Sequence, residues 1–507
     1  MSSFLVLVLS CLALYFGSEY MFREYFLNRL FYLLNMFAVS VIMLFFSYDF
    51  FLIILSWECI GLFSFLLVNF YLTRVYTVKA AMKTFVFSRV SDLFMFFSFV
   101  LILFLFSSSD LSFIFIQIPF ISFNYLSVYG FSVHILSLLA CSISLTGAIK
   151  SAQFFFHVWL PDAMEAPTPA SALIHSSTLV VAGVFLILRF SILFEFSIIA
   201  NYLLLFLGSI TLGFASLIAI FQHDIKKLVA YSTISQIGYL ICGCGLNCFE
   251  ETFLYLITHA LNKAFLFILV GYTVHFFNHN TDMRQMGGLY LYSFEILVLF
   301  FGVSINLSGL PYSAGFISKE FLLFQLFKNS GLIVFIKIMW TTAFFCTPIY
   351  MLTLIFLVNF SIKKGVFTSY NLNNFKNFNL YNKKDFVYKL NLLSQKYFNI
   401  SKTTSIVLVI FWLFFFSWGE SFLLFIFNFS SINSSISTNF FIRITNAPFF
   451  AIDQYTIFFI ESLTLTVLSL FLLALGFLVF LNYKNTYNFF KSYNLFFVFL
   501  TVLFLSL

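Results

Sequence analysis

The chain has 507 residues, 62% of them hydrophobic and 9% charged, with a mean hydropathy of +1.02, whereas soluble domains carry roughly a quarter charged residues. A water-soluble globular protein is excluded. The net charge is +7, from 26 Lys and Arg against 19 Asp and Glu, so every charge inside an apolar run asks for a reason.

Met1 to Tyr20 has neither a basic start nor a small-residue cleavage site, and reads as a first span rather than a removed address. Apolar runs then follow near 27–48, 50–72, 88–107, 132–160, 170–190, 198–220, 225–246, 251–276, 292–327, 331–359, 404–428 and 455–482. Each is near the ~20 residues that cross a bilayer, which predicts an all-α polytopic membrane protein of about 13–14 transmembrane helices. A closed barrel would need short alternating strands, which these continuous runs do not resemble. Phe accounts for 82 residues. Together with abundant Tyr, Ile and Asn, this reads as A/T-rich codon bias in an organelle genome rather than as a set of functional aromatics.

Two runs are interrupted. In LTGAIKSAQFFFHVWLP, Thr146, Gly147, Lys150, Ser151 and Gln153 break the apolar pattern before Pro161; in INLSGLPYSAGFISKEF, Gly309, Pro311 and Gly315 precede Lys319 and Glu320. Proline removes a helical N–H and glycine loosens the backbone, so both runs are predicted to unwind in mid-membrane. Paired interrupted segments point to the ion site of a transporter built from repeats.

The charges that remain inside apolar runs form a series. Glu58 sits in FLIILSWECIGLFSFLLVNF, and Arg89 and Asp92 are placed to pair at i and i+3. Lys150 follows in the first interrupted run and His175 in SALIHSSTLVVAG. His259 and Lys263 share one helix face at i and i+4, and Lys319 with Glu320 closes the series. Ionisable groups at membrane depth are costly and mark proton or ion paths. Asp224, Lys226 and Lys227 read instead as a solvated helix start.

The hydrophilic stretch 361–403 carries eight Lys against one acid, Asp385, and so holds the whole +7 excess. It reads as a loop facing the matrix or cytoplasm by the positive-inside tendency, not as a nucleic-acid surface. The seven cysteines form no CxxC pair, and Cys242, Cys244 and Cys248 read as helix filler. With no Rossmann or P-loop fingerprint and no haem-attachment motif, the chain is expected to hold no cofactor and no metal.

The stretches SWECIGLFSFLL, SRVSDL, GAIKSAQFFFHVWLPDAMEAPTPASALIHSSTLVVAGVFLILRF, QHDIKKLVAYSTISQIGYL, THALNKAFLF, DMRQMGGL and LSGLPYSAGFISKE resemble the antiporter-like membrane subunits of NADH:ubiquinone oxidoreductase, respiratory complex I. Within them the likeness is to the chain 5 type, related to the Mrp-type cation/proton antiporter subunits. Lys319 in GFISKE separates it from subunit 4, which usually carries Glu there. The resemblance implies a proton-translocating subunit in the mitochondrial inner membrane. Flavin, iron–sulfur clusters and ubiquinone reduction would belong to partner subunits, and the neighbours would be subunit 4, accessory subunits and membrane lipids.

By the same resemblance Glu58 is the carboxylate of the uptake half-channel, paired with Lys150 and modulated by Asp92 and Arg89. His175 is the central relay, His259 and Lys263 are the next sites, and Lys319 with Glu320 is the exit-side pair. The implied organisation is a first helix over 1–26, two inverted five-helix repeats over 27–190 and 198–359, each with a discontinuous helix, the basic loop 361–403, and C-terminal helices over 404–507.

Four departures stand out. The Glu58 motif comes early, so roughly two helices that usually precede it are expected to be missing. The usual lateral helix is expected to be absent, shortened or supplied by another polypeptide. Asn262 stands where an aromatic is usual. Tyr255 stands where another His often lies, which implies either the loss of one relay site or a water in its place.

Overall fold

The computed structural model describes residues 2–22, 24–121, 125–128, 131–176, 178–291, 293–309, 313–328 and 334–361. The basic loop beyond Ser361, the expected spans 404–428 and 455–482, the C-terminal tail and Pro311 lie outside the described residues.

The chain begins with helices α1 (Ser2–Tyr20), α2 (Leu27–Phe46), α3 (Phe50–Val68), α4 (Val75–Phe106) and α5 (Leu111–Ile121), followed by an antiparallel hairpin of β1 (Tyr125–Val128) and β2 (Phe131–His134). Next come α6 (Ile135–Lys150), α7 (Trp159–Asp162), α8 (Thr168–Ser176), α9 (Leu179–Arg189) and α10 (Ser191–Glu195). The remaining helices are α11 (Ile198–Phe221), α12 (Ile225–Gly245), α13 (Phe249–Phe276), α14 (Phe294–Ser308), α15 (Ala314–Lys328) and α16 (Val334–Ile355), the last running into a wider turn at Phe356–Phe360. Among the described residues nine helical segments are long and apolar enough to cross a membrane, α8 and α9 counting together as one. The all-α polytopic class therefore stands, with one small hairpin that the apolar runs did not announce. The run at 88–107 is the second part of a 32-residue helix, α4. Large apolar side chains such as Phe104, Phe120 and Tyr76 lie exposed on the outside, as lipid-facing surfaces do.

Both predicted interruptions are present. Helix α6 stops at Lys150 because the next residues form a Schellman cap: Gln153 N donates to Ala148 O (2.9 Å) and Ala152 N to Ile149 O (3.2 Å), with Ala152 at φ 54°. The indole of Trp159 donates to the same carbonyl, Ile149 O, at 3.3 Å. Helix α14 stops at Ser308 with Gly309 in the left-handed region at φ 72°, and Ser313 Oγ accepts from Phe316 N at 3.2 Å to restart the chain as α15. A third interruption was not foreseen: α8 ends at Ser176 and α9 begins at Leu179, with Thr178 Oγ1 donating to Leu173 O at 2.8 Å.

Glycine decides how closely the broken segments approach. A Cβ on Gly147 would come within 2.9 Å of Gly183 O, and one on Gly183 would run into Gly147 O. Helices α6 and α9 thus touch backbone to backbone just before Lys150. Gly315 lies equally tight against the carbonyl of Asn306, which joins α15 to α14.

Two backbone clips recur outside the spans. Asp49 pairs with Asp110 and Asp224 with Asp282, both antiparallel. In the first clip Phe50 N donates to Ser109 O (2.9 Å) and Leu111 N to Tyr48 O (3.0 Å). A hydrogen bond to the Asp110 carboxyl, helped by slight desolvation and like charge, holds the Asp49 carboxyl above its ordinary range. A raised carboxyl favours its protonated form in the folded clip. The clip is therefore fullest below the ordinary carboxylate pKa and weakens as pH rises through the raised one. Amide protection at Phe50 and Leu111 is expected to fall over that window in the native protein and to stay flat in Asp49→Asn; flat protection in the native protein would contradict this.

Candidate functional site

Each interruption places a titratable side chain at an internal helix end. Lys150 is the last residue of α6, His175 lies in the last turn of α8, and Lys319 of α15 reaches back to the last turn of α14, donating to Leu307 O. Helix C-termini carry partial negative charge, which favours an ammonium there.

Lys150 is 2% exposed. Its Nζ donates to Trp57 O at 2.6 Å and sits 4.2 Å from the Trp57 ring centroid. That carbonyl immediately precedes Glu58, so the direct contact is with the backbone of α3, while Asp92 and Glu58 act on the ammonium through space together with Arg89. Among the described residues Glu58 takes part in none of the ion pairs, which are Lys83–Asp162, Arg89–Asp92, Lys227–Asp224 and Arg284–Asp282. Arg89 and Asp92 do pair along α4, at 3.1 Å, with Asp92 buried and Ser91 Oγ at 3.4 Å. Gly61 makes room for this pair: a Cβ there would meet Arg89 Nη2 at 3.4 Å.

His175 is fully buried with its ring 6.0 Å from that of Phe267 on α13. On the same helix His259 and Lys263 are also buried, and Lys263 Nζ donates to Ser232 Oγ of α12 at 2.6 Å. Lys263 and Lys319 both lie within electrostatic reach of His259. Lys319 is 2% exposed, with Nζ 5.6 Å from the Tyr239 ring centroid and Glu320 beside it in sequence and in field. Asp224 and Lys227 pair at 3.5 Å at the half-exposed start of α12, as a solvated helix start would, whereas Lys226 is part-buried and donates to Ala166 O at 3.5 Å.

The arrangement has one chemical property. The three interior lysines rest on neutral acceptors, a carbonyl, a hydroxyl and a carbonyl, rather than in direct ion pairs. Among the described residues none of the three takes part in an ion pair with a carboxylate. Among the described residues no group of three or more His, Cys, Asp or Glu could hold a metal ion.

Sequence reasoning missed the acceptors. Trp57, Ser232 and Leu307 supply them, two through backbone oxygens that no side-chain pattern can reveal. Gln153, read only as a helix breaker, ties the first interruption to α11, since Thr211 Oγ1 donates to its Oε1 at 2.8 Å. The polar spacing of Ser232, Gln236 and Tyr239 on α12 was a legible signal that was passed over.

Residues 47–346, more than half of the chain, match the family described as NADH:quinone oxidoreductase/Mrp antiporter, transmembrane. The chain belongs to this family. It is 43% identical over 351 residues to NADH-ubiquinone oxidoreductase chain 5 of Nyctotherus ovalis, covering 68% of this chain and 19% of that one. With the chain 5 proteins of Chondrus crispus and Dictyostelium discoideum it shares 39% and 36% identity, over 60% and 64% of this chain and 46% and 49% of theirs. The matches thus span less than half the length of these relatives. A solved Mrp complex from Dietzia sp. has a similar chain, at TM-score 0.63 and 28% identity, covering 70% of this chain and 39% of that one. The nine residues of the series from Glu58 to Glu320 all fall within the matched range.

Proposed function

We propose that this chain is a proton-translocating membrane-arm subunit of respiratory complex I, in which NADH oxidation and ubiquinone reduction occur in partner subunits, subunit 4 among its neighbours, within the mitochondrial inner membrane. The observation that carries this reading is the set of three buried lysines on neutral acceptors, two of them at the ends of interrupted helices. A lysine in this setting changes charge when a neighbour does, because little screening separates them. Protons would enter near Glu58 and Lys150, pass through His175, His259 and Lys263, and leave near Lys319 and Glu320, with Arg89 and Asp92 tuning the uptake end.

The recurring features support two repeats over 27–190 and 198–359. Each stretch holds one Asp–Asp backbone clip and one helix broken beside a buried lysine. A cation/proton antiporter subunit is the second reading, favoured by the likeness to the Mrp complex. The higher identity to chain 5 proteins favours the first. Co-purification separates them: flavin-containing, NADH-oxidising partners support complex I.

Lys319→Ala in the assembled complex is expected to lower the protons moved per NADH oxidised, measured as lumen acidification in proteoliposomes. Unchanged stoichiometry would remove Lys319 from the path.

A further inference from the structure

Between the two lysines of the second half lies a buried polar cluster that the proton path above does not use. Gln236 of α12 is fully buried, and both ends of its amide are engaged: Nε2 donates to Tyr350 OH of α16 at 3.1 Å, and Oε1 accepts from Tyr255 OH of α13. One turn from Gln236 on one side is Ser232, the acceptor of Lys263; about one turn away on the other is Tyr239, whose ring lies 5.6 Å from Lys319 Nζ. The Tyr239 and Tyr255 rings meet edge-on at 6.2 Å. Beside them Thr258 and Ser318 share a hydroxyl contact at 3.2 Å, joining α13 to α15 next to Lys319.

A single helix face therefore touches the surroundings of both lysines, with the clamp at its centre. Ser232 and Tyr239 are separated by ~10 Å at 1.5 Å per residue. Two charges about 10 Å apart at an effective dielectric near 20 change each other's proton affinity by about tenfold. The coupling depends inversely on distance, so a rotation or slide of α12 would alter it. An amide bonded at both ends resists such motion because freeing either end strands a buried polar group.

We propose that Gln236, clamped between the hydroxyls of Tyr255 and Tyr350, is a positioning residue that holds α12 in register with α13 and α16 and so fixes the separation of Lys263 and Lys319. This rests on the reading that those lysines carry protons. Among the described residues, Cys242 on α12 and Cys346 on α16 lie within electrostatic reach of these tyrosines, and His259 on α13 within reach of the two lysines.

The test is a double-mutant cycle in the assembled complex, Tyr255→Phe against Gln236→Leu, reading assembly, NADH-driven pumping and its pH profile. Each single variant is expected to assemble, to pump about fivefold more slowly, the equivalent of one lost hydrogen bond, and to shift the pH profile. The double variant is expected to be no worse than the poorer single one. Additive losses, or a native pH profile in Tyr255→Phe, would overturn the proposal. If Gln236→Leu does not assemble, Tyr255→Phe and Tyr350→Phe, which each delete one hydroxyl, form the cycle. Lys263→Ala run alongside separates the failures. Normal pumping by it removes the underlying proton path, whereas its loss beside normal pumping by Tyr255→Phe removes only the clamp.

Discussion

Lys263→Ala in the assembled complex is expected to cut proton-coupled turnover by about 100-fold, the lower end of what a positioned proton donor or acceptor contributes. Lys263 is fully buried between α12 and α13, and its ammonium has a hydroxyl as its bonded partner. Alanine removes the site that would hold the proton. Lys263→Arg is expected to fail as badly, although it keeps the charge, because a guanidinium does not release its proton in a protein. The measurement is the ratio of lumen acidification to NADH oxidation in proteoliposomes. An arginine variant that pumps normally would reduce Lys263 to a fixed charge, and the relay would have to bypass it.

Gly315→Ala should produce the largest structural effect of any single methyl. Its Cβ would run into the carbonyl oxygen of Asn306, a backbone atom that can move only if α14 and α15 separate. Overpacking of this kind costs about 1–3 kcal/mol, which should lower the thermal midpoint of the complex by a few degrees. Separation of the two half-helices would also draw Lys319 away from Leu307 O, so pumping should fall together with stability. Gly17→Ala is the control, since its Cβ would meet Phe31 at 3.4 Å and Pro169 at 3.5 Å, ordinary contact. If Gly315→Ala and Gly17→Ala melt alike, the close crossing does not hold the second interruption together.

Much of the fold was legible because lipid imposes a simple rule. Backbone groups must bond within the segment, so runs of about twenty apolar residues read as helices. The interruptions at Lys150 and before Lys319 could be read because glycine and proline alter the backbone by their own chemistry. The interruption after His175 could not. Ser176, Ser177 and Thr178 are weak helix formers rather than breakers, and the turn is closed by a hydroxyl bond to Leu173 O that depends on the local fold. The hairpin Tyr125–His134 was hidden for a related reason, since two four-residue strands leave too short a pattern to read.

The sequence by itself determined the medium, the helical class and the identity of the ionisable groups, since charge in an apolar run is costly wherever the chain goes. Only the tertiary structure decided what those groups touch. Lys150 meets the carbonyl before Glu58, Lys263 meets Ser232 and Lys319 meets a carbonyl freed by the end of α14. Such partners come from helices distant in sequence or from backbone atoms common to every residue, so no spacing along the chain could have named them.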